Sequence, residues 1–130
     1  MNNTQYKLIL VRILNFDHVQ LAMPVRQEDY AVAFYEGILG LKRVKKPAHL
    51  EKRGGCWFEN DNIKLHLGTQ IDFKPSKKAH VALLTDNLQE LTQILLDSGY
   101  PVIDDEPLEG YLRIYTKDPF DNRIELMEKI

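Results

Sequence analysis

Two stretches of this chain repeat one another, and that repeat constrains the fold more than any other feature. Asp17-His18-Val19-Gln20-Leu21 matches Ala79-His80-Val81-Ala82-Leu83, Gly40 matches Gly99, and Lys64-Leu65-His66-Leu67 matches Arg123-Ile124-Glu125-Leu126. From His18 to His66 is 48 positions, and from His80 to Glu125 is 45. A unit that recurs once within 130 residues leaves each copy too small to bury a core alone, so the copies are expected to share one.

Local patterns describe the unit. Phe16 to Leu21 alternates as a strand covered on one side does, with His18 and Gln20 on one face and Val19 and Leu21 on the other. Ala31, Phe34, Tyr35, Ile38 and Leu39 recur at three- and four-residue steps, which predicts an amphipathic helix from about Glu28 with Gly40 at its C-cap. Strands over Leu41–Val44, Cys56–Glu59 and Ile63–Leu67 complete a βαβββ order. After a loop from Thr69 to Lys78 the order begins again with a strand over His80–Leu84. Asp86 and Gln89 resemble a capping box before the apolar stripe Leu88, Leu91, Ile94 and Leu95, which stops at Gly99. Short strands near Val102 and over Leu112–Thr116, a turn from Asp118 to Asn122, and a strand over Arg123–Met127 follow.

The balance of charge excludes one class of function. Lys and Arg number 17 against 19 Asp and Glu with the signs interspersed, so no field attracts nucleic acid. Lys42, Arg43, Lys45 and Lys46 read as an exposed strand end; a phosphate-binding patch is the sharper alternative, without an aromatic platform interleaved in the sequence. The single cysteine, Cys56, excludes an intramolecular disulfide and reads as a small buried thiol. The apolar run Leu8 to Val11 is too short for a signal peptide, and nothing is long enough to span a bilayer. A cytoplasmic protein without membrane or nucleic-acid partners is the expectation.

His18, His66, His80 and Glu125 then carry the chemistry. Each half offers one ligand-type residue on its first strand and one on its last, in phase with apolar neighbours. Imidazole nitrogens and a carboxylate are what a divalent transition metal takes, at about 2.0 to 2.2 Å from a rigid scaffold. All four are therefore expected to converge on one ion, Zn, Ni, Co, Mn or Fe, in a concave cavity opposite the helices. The same alternation turns Gln20, Lys64, Ala82, Arg123 and Met127 toward that cavity or its rim. His49 has no counterpart in the other half and reads as surface.

From Phe16 to Glu128 the chain resembles the vicinal oxygen chelate superfamily, which includes glyoxalase I, extradiol dioxygenases, and fosfomycin- and bleomycin-resistance proteins. The carriers are Asp17-His18-Val19, Phe34-Tyr35-Glu36 with Leu39-Gly40-Leu41, Ala79-His80-Val81-Ala82, and above all Asp118-Pro119-Phe120-Asp121-Asn122-Arg123-Ile124-Glu125-Leu126. The resemblance implies an α+β fold of two βαβββ modules, about 14–68 and 79–128 joined by a linker of about 69–78, whose curved mixed sheets surround one metal and substrate cavity. It implies that His18, His80 and Glu125 hold the metal, and that His66 stands where glyoxalase I carries a glutamate. Trp57, Glu59, Arg113 and Tyr115 join the cavity by the same resemblance, and paired modules often exchange between chains, so a homodimer is expected.

The expected activity is a metal-dependent lyase or isomerase of the glyoxalase I type on a small oxygen-rich or thiol-conjugated substrate, which binds the ion through two oxygens. Gln20, Trp57, Lys64, Arg113, Tyr115 and Met127 would define that substrate, and Glu125 or Glu59 would be the base. Two alternatives stand beside it: a ring-cleaving oxygenase in which His18, His80 and Glu125 form an Fe(II) facial triad, and a metal-free protein that sequesters an antibiotic or metabolite.

Overall fold

The computed structural model describes residues 10–130; the start of the apolar run at Leu8 lies outside them. Strands β1 (Val19–Met23), β2 (Lys42–Val44), β3 (Cys56–Asn60) and β4 (Ile63–Thr69) form one sheet in the order β1-β4-β3-β2. Strands β5 (His80–Leu84), β6 (Tyr111–Lys117) and β7 (Arg123–Lys129) form a second in the order β5-β7-β6. Helices α1 (Glu28–Tyr35) and α2 (Leu88–Asp97) follow the first strand of each half. The fold is α+β with two small mixed sheets, as the repeat predicts.

The repeat extends to the register. In each half the first strand runs parallel to the last, with Gln20 opposite His66 and Ala82 opposite Glu125. The antiparallel neighbour then sets Trp57 opposite His66 and Tyr115 opposite Glu125. Because side chains alternate along a strand, Val19, Leu65, Leu67, Phe58, Ile124, Leu126 and Ile114 all turn to the helix side. The ligand-type residues turn the other way.

One apolar cluster serves both halves. Phe34, Tyr35 and Ala31 of α1 meet Phe58, Leu65 and Leu67 of the first sheet and Leu88, Leu95, Ile124 and Leu126 of the second half. Phe34 lies against Tyr100 at 4.9 Å between ring centroids, and truncating so buried a phenyl group costs about 3 to 5 kcal/mol. Across the same boundary the Tyr35 hydroxyl donates to Asp118 Oδ2 at 2.6 Å, and Asn122 Nδ2 donates to the Ala22 carbonyl at 2.8 Å.

Several local expectations shift. β1 begins at Val19, and the residues before it from Leu10 belong to no helix or strand and are exposed. The cap of α2 is Asn87 rather than Asp86: its side-chain oxygen accepts from the Glu90 N–H at 3.0 Å and its amide donates to Glu90 Oε2 at 3.2 Å. Both are short Asx residues, and only the one next to the first turn reaches its amides. Where a loop was expected, Ala48–Arg53 winds into a 3₁₀ helix that exposes His49. The strand near Val102 shrinks to a single bridge, Ile103 to Tyr115. Pro101 and Pro107 bracket that segment and cannot donate to a ladder, so the second sheet has three strands. Cys56 is buried, as expected.

Candidate metal centre

On the first sheet the ligand face carries a stack of three rings. Trp57 lies on His66 at 4.1 Å with 3° between planes, and His18 covers the other side of His66 at 4.4 Å and 20°. The stack follows from the register, which puts Trp57 beside His66 on neighbouring strands, and from His18 standing at the mouth of β1. His66 is 6% exposed and its Nε2 has no hydrogen-bond partner among the described residues. Burial, and then the neighbouring His18, hold its pKa below the ordinary imidazole value. His18 Nδ1 meets Asp17 Oδ2 at 2.9 Å, and Lys64 stands 3.8 Å from Asp17. A proton on His18 Nδ1 leaves its Nε2 with a free lone pair.

On the second sheet the geometry is tighter. His80 Nδ1 lies 2.8 Å from the Lys78 carbonyl, which only accepts, so that nitrogen carries a proton. His80 Nε2 lies 2.9 Å from Glu125 Oε1, a second acceptor. Both ring nitrogens therefore face oxygen lone pairs, and the contact with Glu125 needs a proton or a cation between the two atoms. Glu125 is 6% exposed and takes two more donors, the Tyr115 hydroxyl at 3.2 Å and Arg113 Nη1 at 3.2 Å. Arg113 is in turn aimed by the Glu106 carbonyl, 2.6 Å from Nη2, and by Asp105 at 3.7 Å; its pKa is raised, first by the bond to Glu125. Arg123 stands over the Tyr115 ring at 4.0 Å.

Between the edge strands β1 and β5 runs a cleft of about 730 Å³, lined among others by His18, Lys64, His80 and Ala82. One chain thus brings the ligand-type residues together as two pairs, His18 with His66 and His80 with Glu125, with a histidine of each pair on the cleft wall. It does not gather all four: among the described residues no group of three or more His, Cys, Asp or Glu side chains meets closely enough to hold a metal ion. The cause is topological, since each pair is fixed to its own sheet. In chemistry the donors suit a divalent cation, with one imidazole nitrogen left without a partner and one imidazole aimed at a carboxylate.

Gln20 and Lys64 of the first half, and Arg113, Tyr115, Arg123 and Met127 of the second, alternate onto the ligand side of their sheets, and Glu59 sits two residues beyond Trp57 on the same face. Sequence reasoning missed Asp105, Glu106 and Arg53, and it weighed Lys46 only as part of an exposed basic run. Nothing periodic marks the first two, Arg53 comes to Lys46 and Trp57 through the 3₁₀ helix, and Lys46 follows the strand that pairs with β3.

No helix among the described residues is long and apolar enough to cross a membrane. No protein of curated function matches the chain. A glyoxalase-family protein from Bacillus anthracis shares 43% sequence identity over 94% of this chain and 100% of its own, with a TM-score of 0.88. At the level of fold alone, the fosfomycin resistance protein FosX from Listeria monocytogenes superposes with a TM-score of 0.73 at 15% identity, covering 92% of this chain and 96% of its own. A virulence protein from Salmonella typhimurium does so at 0.70 and 20% identity, covering 92% and 100%. Residues 15–126 match the profile of one family, the span that contains both ligand pairs and the turn before β7. By that match and by the 43% identity, the chain belongs to the glyoxalase/bleomycin resistance protein/dioxygenase superfamily.

Proposed function

We propose that this protein is a metal-dependent lyase or isomerase of the glyoxalase type, acting on a small oxygen-rich or thiol-conjugated substrate. The observation that carries the reading is the pairing of His80 Nε2 with the buried Glu125 carboxylate at 2.9 Å, an imidazole and a carboxylate set side by side as two donors to one ion would be. His18, His80 and Glu125 would hold the ion, with the unpartnered Nε2 of His66 as a fourth donor. The ion supplies Lewis-acid polarisation of substrate oxygens. Around it this chain's own groups have separate tasks. Arg113 and Tyr115 keep the Glu125 carboxylate in one orientation, Trp57 offers an indole face to an apolar or planar group, and Glu59 or the freed oxygen of Glu125 takes up the substrate proton.

Because one chain presents the donors as two pairs, the centre is proposed to close in a homodimer. Leu10, Val11, Ile13, Leu14 and Phe16, each at least 80% exposed, lead directly into His18, so a second copy that covers them also bears on the metal-binding strand.

A second reading has one observation in its favour. Glu125 already receives three donors without any ion, as a metal-free binding protein would need.

Elemental analysis of protein purified without added metal or chelator separates the readings. Stoichiometric zinc, nickel or cobalt supports the lyase, and ferrous iron with oxygen uptake the oxygenase. Glu125→Gln and His80→Ala should lose the ion, and Glu125→Gln should also lose turnover. A wild-type protein that holds no metal, and that added divalent ions do not stabilise against heat, would leave only the binder. Light scattering tests the dimer: a monomer that still binds metal stoichiometrically refutes closure between chains.

A further inference from the structure

Beyond the metal donors, the first sheet ends in a basic trough, and we infer that it receives an oxyanion, a carboxylate or phosphate carried at the far end of the substrate, on Lys46 and Arg53. The inference deepens the proposed function and rests on it for the word substrate; the trough itself is independent of the metal.

Two adjoining cavities, of about 430 and 180 Å³, share Lys46 and Trp57 in their walls. The smaller adds Arg53, Gln20, Gly68 and Thr69 and has no acidic residue in its lining. The larger adds Arg43 and Lys45 against one carboxylate, Glu51. A chain whose net charge is −2 therefore concentrates four cations at one corner, in concave walls where their field is focused. The nearby Glu28 carboxylate is engaged by the Gly55 N–H at 3.3 Å. Among the described residues neither Lys46 nor Arg53 has an ion-pair partner within 4.0 Å.

A run of lysines is ordinarily a solvated face. Three features separate this one from that reading. Lys46 is tied down: its ammonium donates to the Gly54 carbonyl at 2.5 Å, which holds the head in the trough and leaves two protons to donate. Arg53 is brought to it by the 3₁₀ helix Ala48–Arg53 and the Gly54-Gly55 turn. The aromatic platform that the sequence around Lys46 lacks arrives from β3, where Val44 pairs with Trp57. That same indole stacks on His66. A molecule polarised at the histidines can thus extend across Trp57 and place its anionic end between an ammonium and a guanidinium, with the Gln20 amide on the wall. The smaller cavity exceeds several times the ~30 Å³ that a water occupies in the liquid, room for one oxyanion group.

Trp57 is the chain's one tryptophan, so its fluorescence reports on this corner and on the His66 ring it stacks against, and the double variant tells the two apart. In chelated protein at fixed ionic strength, inorganic phosphate and succinate are titrated separately. A saturable change with at least one probe, weakened about tenfold or more in Lys46→Gln/Arg53→Gln and unaltered in Glu125→Gln, is the expected result; the tighter probe names the group. Thermal unfolding of the double variant should fall by at most a few degrees, because Arg53 is exposed and Lys46 gives up a single hydrogen bond, to the Gly54 carbonyl. No saturable change with either probe, or one of equal strength in the double variant, overturns the inference. Metal content measured on the same preparations before chelation keeps the two claims apart: metal bound without anion binding refutes the trough alone, and anion binding without metal refutes the lyase alone.

Discussion

Removing a single oxygen from Tyr35 should loosen the two halves from one another. The hydroxyl, on α1, donates to Asp118 Oδ2 at 2.6 Å across the shared core. Asp118 is 3% exposed and also accepts from the Phe120 N–H at 2.8 Å, the Asn122 N–H at 2.8 Å and Asn122 Nδ2 at 2.9 Å. Burial raises the carboxyl's pKa against the pull of these donors, so each lost donor is felt. Burial and the neighbouring carboxylate hold Tyr35 well above the ordinary phenol value, which keeps it a donor. Tyr35→Phe leaves the ring in its packing and deletes one hydrogen bond to a charged acceptor, at a cost of about 1.5 to 3 kcal/mol. At an unfolding entropy of about 2.1 cal/mol/K per residue over 130 residues, a loss of about 2 kcal/mol lowers Tm by about 7 °C. Urea and thermal denaturation followed by circular dichroism measure both quantities. Asp118→Asn turns an amide toward the donors of Tyr35 and Asn122, so the double variant should be less damaged than the sum of the singles by about 1 kcal/mol or more. A Tyr35→Phe loss below about 0.5 kcal/mol, or additive losses in the cycle, would refute the coupling between halves.

Two further outcomes follow from the same structure. Because burial lowers the His66 pKa beneath its ordinary 6.5, the unfolded chain takes up a proton before the folded one does, so chelated protein should lose stability as pH falls from about 6.5 toward the lowered value. His66→Gln should flatten that acid limb between pH 7 and 5 in urea titrations; an unchanged slope would mean the imidazole protonates freely in the fold. Gly55→Ala should cost about 2 to 4 kcal/mol, because φ there is +84° and an added Cβ would stand 2.0 Å from the Leu67 carbonyl oxygen. Near-wild-type Tm in that variant would show that the β3 and β4 backbones separate easily.

Much of the fold was legible because strand faces are a local, period-two property. The alternation at Lys64-Leu65-His66-Leu67 and Arg123-Ile124-Glu125-Leu126 assigned each side chain to the face it occupies. Gly99 adopts positive φ just past the end of α2, whereas α1 ends at Tyr35 with Glu36 as its C-cap, and Gly40 takes its positive φ beyond the turn that follows rather than at the cap. What the sequence did not disclose depends on pairing between distant segments or on competition between neighbours. Asn87 and Asp86 are equally good caps on paper, and backbone direction chooses between them. The Val102 segment has apolar residues enough for a strand, but its prolines remove donors that only a ladder would need. Trp57 reaches Lys46 through the β2–β3 register, which no window around Lys46 contains. The four ligand-type residues stand in one chain as two pairs for a related reason: equal phase on two sheets fixes which face a side chain takes, not how near the two faces come within a single chain.

The repeat also explains why the two ligand pairs differ in kind. His66 and Glu125 occupy the same register position, and their strand neighbours Trp57 and Tyr115 correspond. One residue earlier than Cys56 and Ile114, which pair with Leu67 and Leu126, the halves diverge: Gly55 in the first, Arg113 in the second. Arginine at that position clamps a carboxylate from the side and anchors its charge. Glycine there has no side-chain donor to offer, and its place beside Leu67 admits no side chain. A carboxylate at position 66 would accordingly sit buried without the arginine that Glu125 has, which is costly, whereas a neutral imidazole held by stacking between Trp57 and His18 needs none. Histidine at 66 is in this view the consequence of glycine at 55. It follows that His66→Glu should weaken the fold unless a cation binds beside it, and that added divalent metal should recover more stability in that variant than in the wild type.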